Sequence, residues 1–193
     1  MRNPTRNKFA YLLAVVALLA ALVAGGSVSA SAQSASYGGA VFQPPPPPPK
    51  KAKIVRGKAI APRNAPGRVR RVIKAANRIV RKPYKWGGGH GAFEAGVLDS
   101  GYDCSGAVSY ALRGGRFLRS PLPSGPMMRW GRRGPGRWIT VYAHSGHAYL
   151  VVAGLRFDTS MRDPNAPGPR SGPRWSKKLR RSAAFIPRHP KRY

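Results

Sequence analysis

The sequence predicts an α+β domain in which helices precede a small antiparallel sheet. Two segments with helical spacing of apolar residues come first, and strand-like alternation begins only after them, from about Ile139. Helices followed by a run of strands are typical of α+β domains, whereas regular alternation of the two would indicate a parallel sheet. The chain from Arg68 onward has about 125 residues, which is enough for one domain with one core.

The first predicted helix begins near Arg68 and ends before Pro83. Its Arg and Lys residues fall on one face, and the apolar residues on the other recur at helical spacing: Val69, Val72, Ile73, Ala76, Ile79 and Val80. This spacing is typical of an amphipathic helix, and proline cannot continue it. We therefore expect the helix to pack by its apolar face.

The second predicted helix starts within the stretch GYDCSG and carries Cys104, the only cysteine in the chain. Asp103 is placed to cap its first turn, and Gly114 and Gly115 are placed to end it. One apolar stripe follows from the spacing of Cys104, Ala107, Val108, Ala111 and Leu112. Unpaired backbone N–H groups at a helix start favour a negative charge, so we expect a lowered pKa for the Cys104 thiol.

The predicted strands cover residues 141–143, 148–153 and 157–159, with a last strand over 183–187. A turn through "HSG" joins the first two strands, and alternation places His147 on one face with Tyr149. Asp158 lies on the following strand. The spacing alone does not bring Asp158 into contact with His147.

Residues 1–32 have the layout of a secretory signal peptide. Three basic residues precede an apolar run, and Ala30 and Ala32 form an A-x-A cleavage site. The run is short for a membrane span of about 20 residues, which favours cleavage over an uncleaved anchor. We expect a protein that is secreted or associated with the cell wall, with no stable membrane span after cleavage.

A linker is predicted over residues 33–67, ahead of a single domain over 68–193. Six prolines, at positions 44–49, favour an extended polyproline II segment. The basic stretch that follows has no sustained apolar period, so it cannot bury enough surface to fold alone.

The charge of the chain indicates polyanionic partners. Lys and Arg number 35 against 5 acidic residues, for a net charge of +30. The basic residues are scattered, which favours loose surface attraction to anionic cell-wall polymers over a specific groove. Four tryptophans among the arginines could stack on sugars or bases, but they are more often core residues, and a secreted protein rarely meets nucleic acid.

A lone cysteine in an exported chain is a reactive thiol, half of an intermolecular bridge or a buried hydrophobic residue. Its position at a helix start favours the reactive thiol, which needs a histidine as its base. His147 is held on a strand, whereas His90 lies in a glycine loop, His144 in a turn and His189 in a basic tail. No cluster of Cys and His residues indicates a metal, and no cofactor is expected.

The stretches "PYKWGGG", "GYDCSG", "GHAYLVVAG" and "FDTS", in that order, resemble the NlpC-type superfamily of cell-wall cysteine peptidases. The match covers roughly residues 68–159. Cys104 matches the nucleophile of the family, His147 the general base and Tyr84 the active-site tyrosine. The third polar residue of the family is most often a histidine. Here Asp158 takes that place, and Thr159 is the next candidate.

The resemblance implies a minimal papain-like fold and hydrolysis of amide bonds in peptidoglycan stem peptides, typically between D-γ-glutamate and a diamino acid. It implies that the helix-start N–H groups around Ser105, with Tyr84 nearby, stabilise the oxyanion. We expect a monomer.

Two alternatives remain open. One is a catalytically inactive, basic wall-binding module, and the other is an amidase or transpeptidase-like relative that acts on another amide. Substrate choice would depend on the segment from Gly114 to Arg137, which no motif describes.

Overall fold

The computed structural model describes residues 51–91, 97–161, 171–180 and 183–193. The predicted signal peptide and the proline-rich part of the predicted linker lie outside these residues. The described helices are α1 (Gly67–Ile79), α2 (Cys104–Gly114) and α3 (Ser124–Met127). The described strands are β1 (Lys53–Val55), β2 (Lys58–Ile60), β3 (Arg132–Arg133), β4 (Ile139–His144), β5 (His147–Val152), β6 (Leu155–Asp158), β7 (Arg174–Ser176) and β8 (Ile186–His189).

Both long helices form where the apolar spacing predicts them. The apolar face of α1 is buried, and α2 is buried along most of its length. α2 contacts α1 and also packs on β5 and β6. This arrangement places the start of α2 against the central strands of the sheet.

Six strands form one antiparallel sheet in the order β3-β8-β4-β5-β6-β7. The α+β class, with helices packed on a small antiparallel sheet, is therefore confirmed. The strand bounds differ slightly from the prediction, since β5 begins at His147, β6 at Leu155 and β8 at Ile186.

Part of the segment predicted as linker is folded. Residues 53–60 form the hairpin β1–β2, which turns at Arg56 and Gly57, both with positive φ. Asn77 of α1 holds this hairpin, because its side chain bonds both the N–H (2.9 Å) and the carbonyl (2.8 Å) of Ala59. The folded domain therefore begins earlier than the predicted boundary at residue 68.

The tryptophans divide between the core and the surface. Trp138 and Trp175 are buried and Trp130 is partly buried, as expected of core residues, but Trp86 is 86% exposed. Among the described residues, no helix is long and apolar enough to cross a membrane.

Candidate active site

Cys104 is the first residue of α2, and the predicted cap of this helix is present. The Asp103 carboxylate accepts the Gly106 N–H at 2.6 Å, and the Asp103 carbonyl accepts the Ala107 N–H. Cys104 and Ser105 are the first two residues of the helix, so their N–H groups have no acceptor within it. They remain available as donors beside the half-buried thiol.

The glycines of "WGGG" and "DCSG" allow the loop before α2 to lie directly on the helix. A Cβ added to Gly106 would lie 2.0 Å from the carbonyl oxygen of Gly88, and one added to Gly89 would lie 2.8 Å from the Gly106 Cα. Any larger residue would therefore push the loop away. The loop is also tied to the helix by the Asp103 N–H, which donates to the Gly88 carbonyl.

His147 lies beside the thiol because it opens β5, directly after the two-residue turn from β4. His147 and the backbone N–H of Ala148 lie close enough to the Cys104 thiol to lower its pKa. The His147 Nε2 is directed at Asp158, so Nδ1 is the ring nitrogen left for the thiol. The start of α2 and the start of β5 therefore bring Cys104 and His147 together.

Asp158 reaches His147 through the register of β5 and β6. The ladder pairs Leu150 with Phe157, so the next position places Asp158 opposite Tyr149, and His147 is its diagonal neighbour on the same face. The His147 Nε2 and the Asp158 Oδ1 are 3.0 Å apart. The turn at Ala153 and Gly154, where both residues have positive φ, sets this register.

The imidazole raises the acidity of the thiol. Burial raises the pKa of Cys104, but the hydrogen bonds from His147 and Ala148 and the charge of His147 outweigh it, so the pKa lies below its ordinary value. Burial lowers the pKa of His147, but hydrogen bonds to Asp158 and Cys104 and their charges raise it to about 9. Both shifts favour a thiolate–imidazolium pair.

Asp158 stays ionised although it is only 2% exposed. Burial raises its pKa, but hydrogen bonds from His147 and from the Ser160 N–H (2.9 Å) lower it below its ordinary value. Its second oxygen, Oδ2, has no hydrogen bond within the described residues. The guanidinium groups of Arg156 (3.7 Å) and Arg180 (3.5 Å) lie near that oxygen.

Three further residues were predicted for the site, namely Tyr84, Ser105 and Thr159. Burial first, and then the charges of Cys104 and Asp103, raise the pKa of Tyr84 above its ordinary value. The Thr159 hydroxyl is buried and has no hydrogen-bond partner in the part of the chain that the structure describes. The Ser105 side chain is 5% exposed, and its hydroxyl donates to Asp103 at 3.1 Å. The Ser105 hydroxyl is thus bonded within the protein, and the part of Ser105 that the resemblance assigns to the oxyanion is its backbone N–H.

His90 belongs to the site, although the sequence placed it only in a glycine loop. Its Nε2 lies 3.1 Å from both the Asp103 Oδ1 and the Ser105 Oγ. His90 precedes Asp103 by 13 positions in the sequence, and this separation matches no helical or strand period. Only the close packing of the glycine loop on α2 brings them together.

An open cavity of about 370 Å³ lies at the thiol. Trp86, His90 and Cys104 line it, together with Ser124 from α3 and Ser145 from the turn after β4. The Ser124 hydroxyl donates to the Ser145 carbonyl at 2.9 Å, which joins these two walls. The segment from Gly114 to Arg137 thus supplies part of the lining. Among the described residues, no group of three His, Cys, Asp or Glu side chains is arranged to hold a metal.

No protein-family model and no curated protein matches the chain. Among solved structures, the chain is similar to a mutated form of the Resuscitation Promoting Factor Interacting protein RipA, with 22% identity over 74% of this chain and 69% of that one and a TM-score of 0.45. It is also similar to a hypothetical invasion protein of Mycobacterium tuberculosis, with 22% identity, the same coverage and a TM-score of 0.44. A third similar structure is the P60 domain of an antigen from M. avium subspecies paratuberculosis, with 23% identity over 63% of this chain and 93% of that one and a TM-score of 0.43. Because these TM-scores lie below 0.5, the likeness carries no argument about the function of this chain.

Proposed function

We propose that this chain is a secreted cysteine peptidase of the NlpC type that cleaves amide bonds in peptidoglycan stem peptides. The bond proposed is the one between D-γ-glutamate and the diamino acid that follows. The observation that carries the proposal is the row Cys104–His147–Asp158, in which a helix-start thiol meets an imidazole that is held by a buried carboxylate. The order of the sequence motifs supports the same chemistry.

In the first half of the reaction, the Cys104 thiolate attacks the carbonyl carbon of the scissile amide. The N–H groups of Cys104 and Ser105, at the positive end of the α2 dipole, donate to the developing oxyanion. The imidazolium of His147 then gives its proton to the leaving amine. A thioester to Cys104 remains, and the amine product departs.

In the second half, water attacks the thioester carbonyl. His147, now neutral, takes one proton from that water, and collapse of the intermediate releases the product as a carboxylic acid and restores the thiolate–imidazolium pair. The acid then loses its remaining proton to solvent. Asp158 accepts the hydrogen bond from Nε2 in both halves, which fixes the ring so that Nδ1 stays directed at the thiol. No step requires a metal or cofactor.

The cavity at Cys104 fits a peptide rather than a folded protein. Its volume of about 370 Å³ is at the small end of the range for ligand sites. Its walls mix polar groups, such as the hydroxyl of Ser124, with the exposed ring of Trp86. A short stem peptide with its carboxylates would also meet a strongly basic surface.

The proposal is tested with a defined muropeptide that contains L-Ala-D-γ-Glu-diaminopimelate. Mass spectrometry after incubation with the full chain should show one water added and two fragments split at the γ-glutamyl bond. Cys104→Ala should leave the muropeptide intact while still folding, since alanine is smaller and apolar.

Two other outcomes would overturn the proposal in different ways. An intact muropeptide together with tight sedimentation of the chain with insoluble cell wall would indicate a wall-binding module. Cleavage at a different amide, still dependent on Cys104, would indicate an amidase-type relative.

A further inference from the structure

A second cavity, of about 540 Å³, lies between α3 and β8, and we call it the α3–β8 groove. Gly125 of α3 lines one wall and Ile186 of β8 lines the other. Ser124, the residue before Gly125, lines the cavity at Cys104. The first turn of α3 therefore borders both cavities, which lie next to each other.

The α3–β8 groove also comes close to the proposed general base. Phe185 is buried and forms part of the lining of the groove. The centroid of its ring lies 4.5 Å from that of the His144 ring and 6.2 Å from that of the His147 ring. The groove therefore begins about one aromatic ring away from His147.

The position of His147 decides which part of a substrate can enter the α3–β8 groove. In the proposed reaction, the imidazolium of His147 gives its proton to the leaving amine, so the leaving peptide extends from the scissile carbonyl on the side of His147. Two extended residues span about 7 Å, which exceeds the 6.2 Å between the rings of His147 and Phe185. The leaving diamino acid and the residue after it are therefore within reach of the groove.

The charge of the α3–β8 groove favours an anionic ligand. Three arginines line it, namely Arg129, Arg133 and Arg188. The first two are exposed, and Arg188 is oriented by the hydrogen bond that its Nε donates to the Met128 carbonyl at 2.6 Å. Among the described residues, no acidic side chain lines the groove. Guanidinium groups form paired hydrogen bonds with carboxylates, so a carboxylate is the group that complements this lining.

The rest of the lining is mostly apolar. Its side chains are those of Met128, Phe185, Ile186 and Pro187. Apolar walls suit the methylene groups of a diamino acid, and the arginines suit a carboxylate at the end of that side chain. A lysine side chain, which ends in an ammonium group alone, would meet three cations. Diaminopimelate has the same chain of methylene groups but carries a carboxylate beside the ammonium group.

We propose that the α3–β8 groove is the subsite for the leaving part of the peptide, and that Arg129 and Arg133 select a diamino acid whose side chain ends in a carboxylate. Arg188 contributes to the same positive charge, and the apolar walls hold the methylene groups. The proposal rests on the proposed hydrolysis, because that reaction defines which part of the substrate faces His147.

The test uses the full chain with Cys104→Ala, so that binding is measured without turnover. The two ligands are the tripeptide amides L-Ala-D-γ-Glu-meso-diaminopimelate and L-Ala-D-γ-Glu-L-Lys, which differ only in the side-chain carboxylate. Isothermal titration calorimetry should show that the diaminopimelate peptide binds at least about fivefold more tightly. Addition of Arg129→Gln and Arg133→Gln should reduce this preference to about twofold or less.

The matched control adds Arg119→Gln and Arg132→Gln, which remove two exposed cations that do not line the groove. The preference for diaminopimelate should persist in this control. An equal loss of the preference in both double variants would mean surface attraction without a subsite, and would overturn the proposal. Equal binding of the two peptides, or no binding of either, by the parent Cys104→Ala protein would also overturn it.

Hydrolysis by the chain with Cys104 intact separates this proposal from the proposed function. The diaminopimelate peptide should be cleaved with a kcat/KM at least about fivefold higher than the lysine peptide. Cleavage of both peptides at equal kcat/KM would overturn the subsite and leave the hydrolysis standing. If neither peptide were cleaved while the binding preference still depended on Arg129 and Arg133, the hydrolysis would be overturned and the groove would be supported as a carboxylate site.

Discussion

His147 lies diagonally across the β5–β6 ladder from Asp158, with 3.0 Å between Nε2 and Oδ1. Both residues sit on regular strands, and the turn between the strands has two residues with positive φ. The distance is therefore fixed by the backbone rather than by a flexible loop, which keeps the imidazole in one orientation.

Removing the carboxylate should impair hydrolysis more than replacing it with a neutral acceptor. Asp158→Ala leaves the imidazole without its partner, and we expect kcat/KM to fall by about 10²- to 10⁴-fold. Asp158→Asn keeps an acceptor for Nε2 but loses the charge, so its loss should be smaller. Steady-state kinetics on the muropeptide measures both.

Thr159→Val is the control for this prediction. The Thr159 hydroxyl is buried and finds no hydrogen-bond partner among the described residues, so an isosteric apolar residue should leave the rate unchanged and should not lower the melting temperature. A loss of activity as large as that of Asp158→Ala would assign the third role to Thr159 instead.

The thiol should react at a pH where ordinary cysteines do not. The pKa of Cys104 is lowered by His147, so alkylation by iodoacetamide should reach half its maximal rate below the ordinary thiol pKa of about 8.5. In His147→Ala the main cause of the lowering is gone while partial burial remains, and the midpoint should move upward. Identical midpoints in both proteins would contradict the thiolate–imidazolium pair.

Hydrolysis should show a bell-shaped pH profile. On the acid side the thiolate is protonated, and its lowered pKa moves that limb below the ordinary cysteine range. On the basic side the imidazolium of His147, with a pKa of about 9, loses the proton that the leaving amine needs. The rate should therefore fall as the pH rises through about 9, and a rate that still increased there would contradict the acid role of His147.

His90 should contribute to the stability of the loop at the active site. Its imidazole bonds the Asp103 carboxylate and the Ser105 hydroxyl, both at 3.1 Å. We expect His90→Ala to lower the free energy of unfolding by about 1 kcal/mol, typical of a lost side-chain hydrogen bond. Urea unfolding monitored by circular dichroism measures it, and an unchanged midpoint would mean that the contact is not formed in solution.

Gly106→Ala should destabilise the domain strongly, because the new Cβ would lie 2.0 Å from a backbone carbonyl. Overpacking of this kind costs about 1–3 kcal/mol or more, and the shift of α2 should also abolish hydrolysis. Gly125→Ala is the matched control, since no atom lies within 4 Å of its added Cβ. Equal effects of the two substitutions would refute the close contact between the glycine loop and α2.

Local sequence patterns were sufficient to predict the two long helices and the cap of the helix that begins at Cys104. The apolar period of α1 and the capping role of Asp103 depend on residues within a few positions of each other. The meeting of His147 with Asp158 could not be predicted, because it depends on a strand register that only the turn at Ala153 and Gly154 settles.

The other features that were not predicted from the sequence depend on contacts between segments that are distant in the chain. The hairpin β1–β2 consists of two three-residue strands, too short for a periodic signal, and it is held by Asn77 of α1. The contacts of His90 require the glycine loop to lie on α2.

The fluorescence of Trp86 can report whether the cavity at Cys104 is occupied. The ring is 86% exposed at the edge of the cavity at Cys104, whereas Trp138 and Trp175 are buried. Iodide in solution should therefore quench Trp86 first, and a peptide that enters the cavity should shield it. Occupancy of the cleft can thus be followed by intrinsic fluorescence in the Cys104→Ala variant, where no turnover obscures the signal.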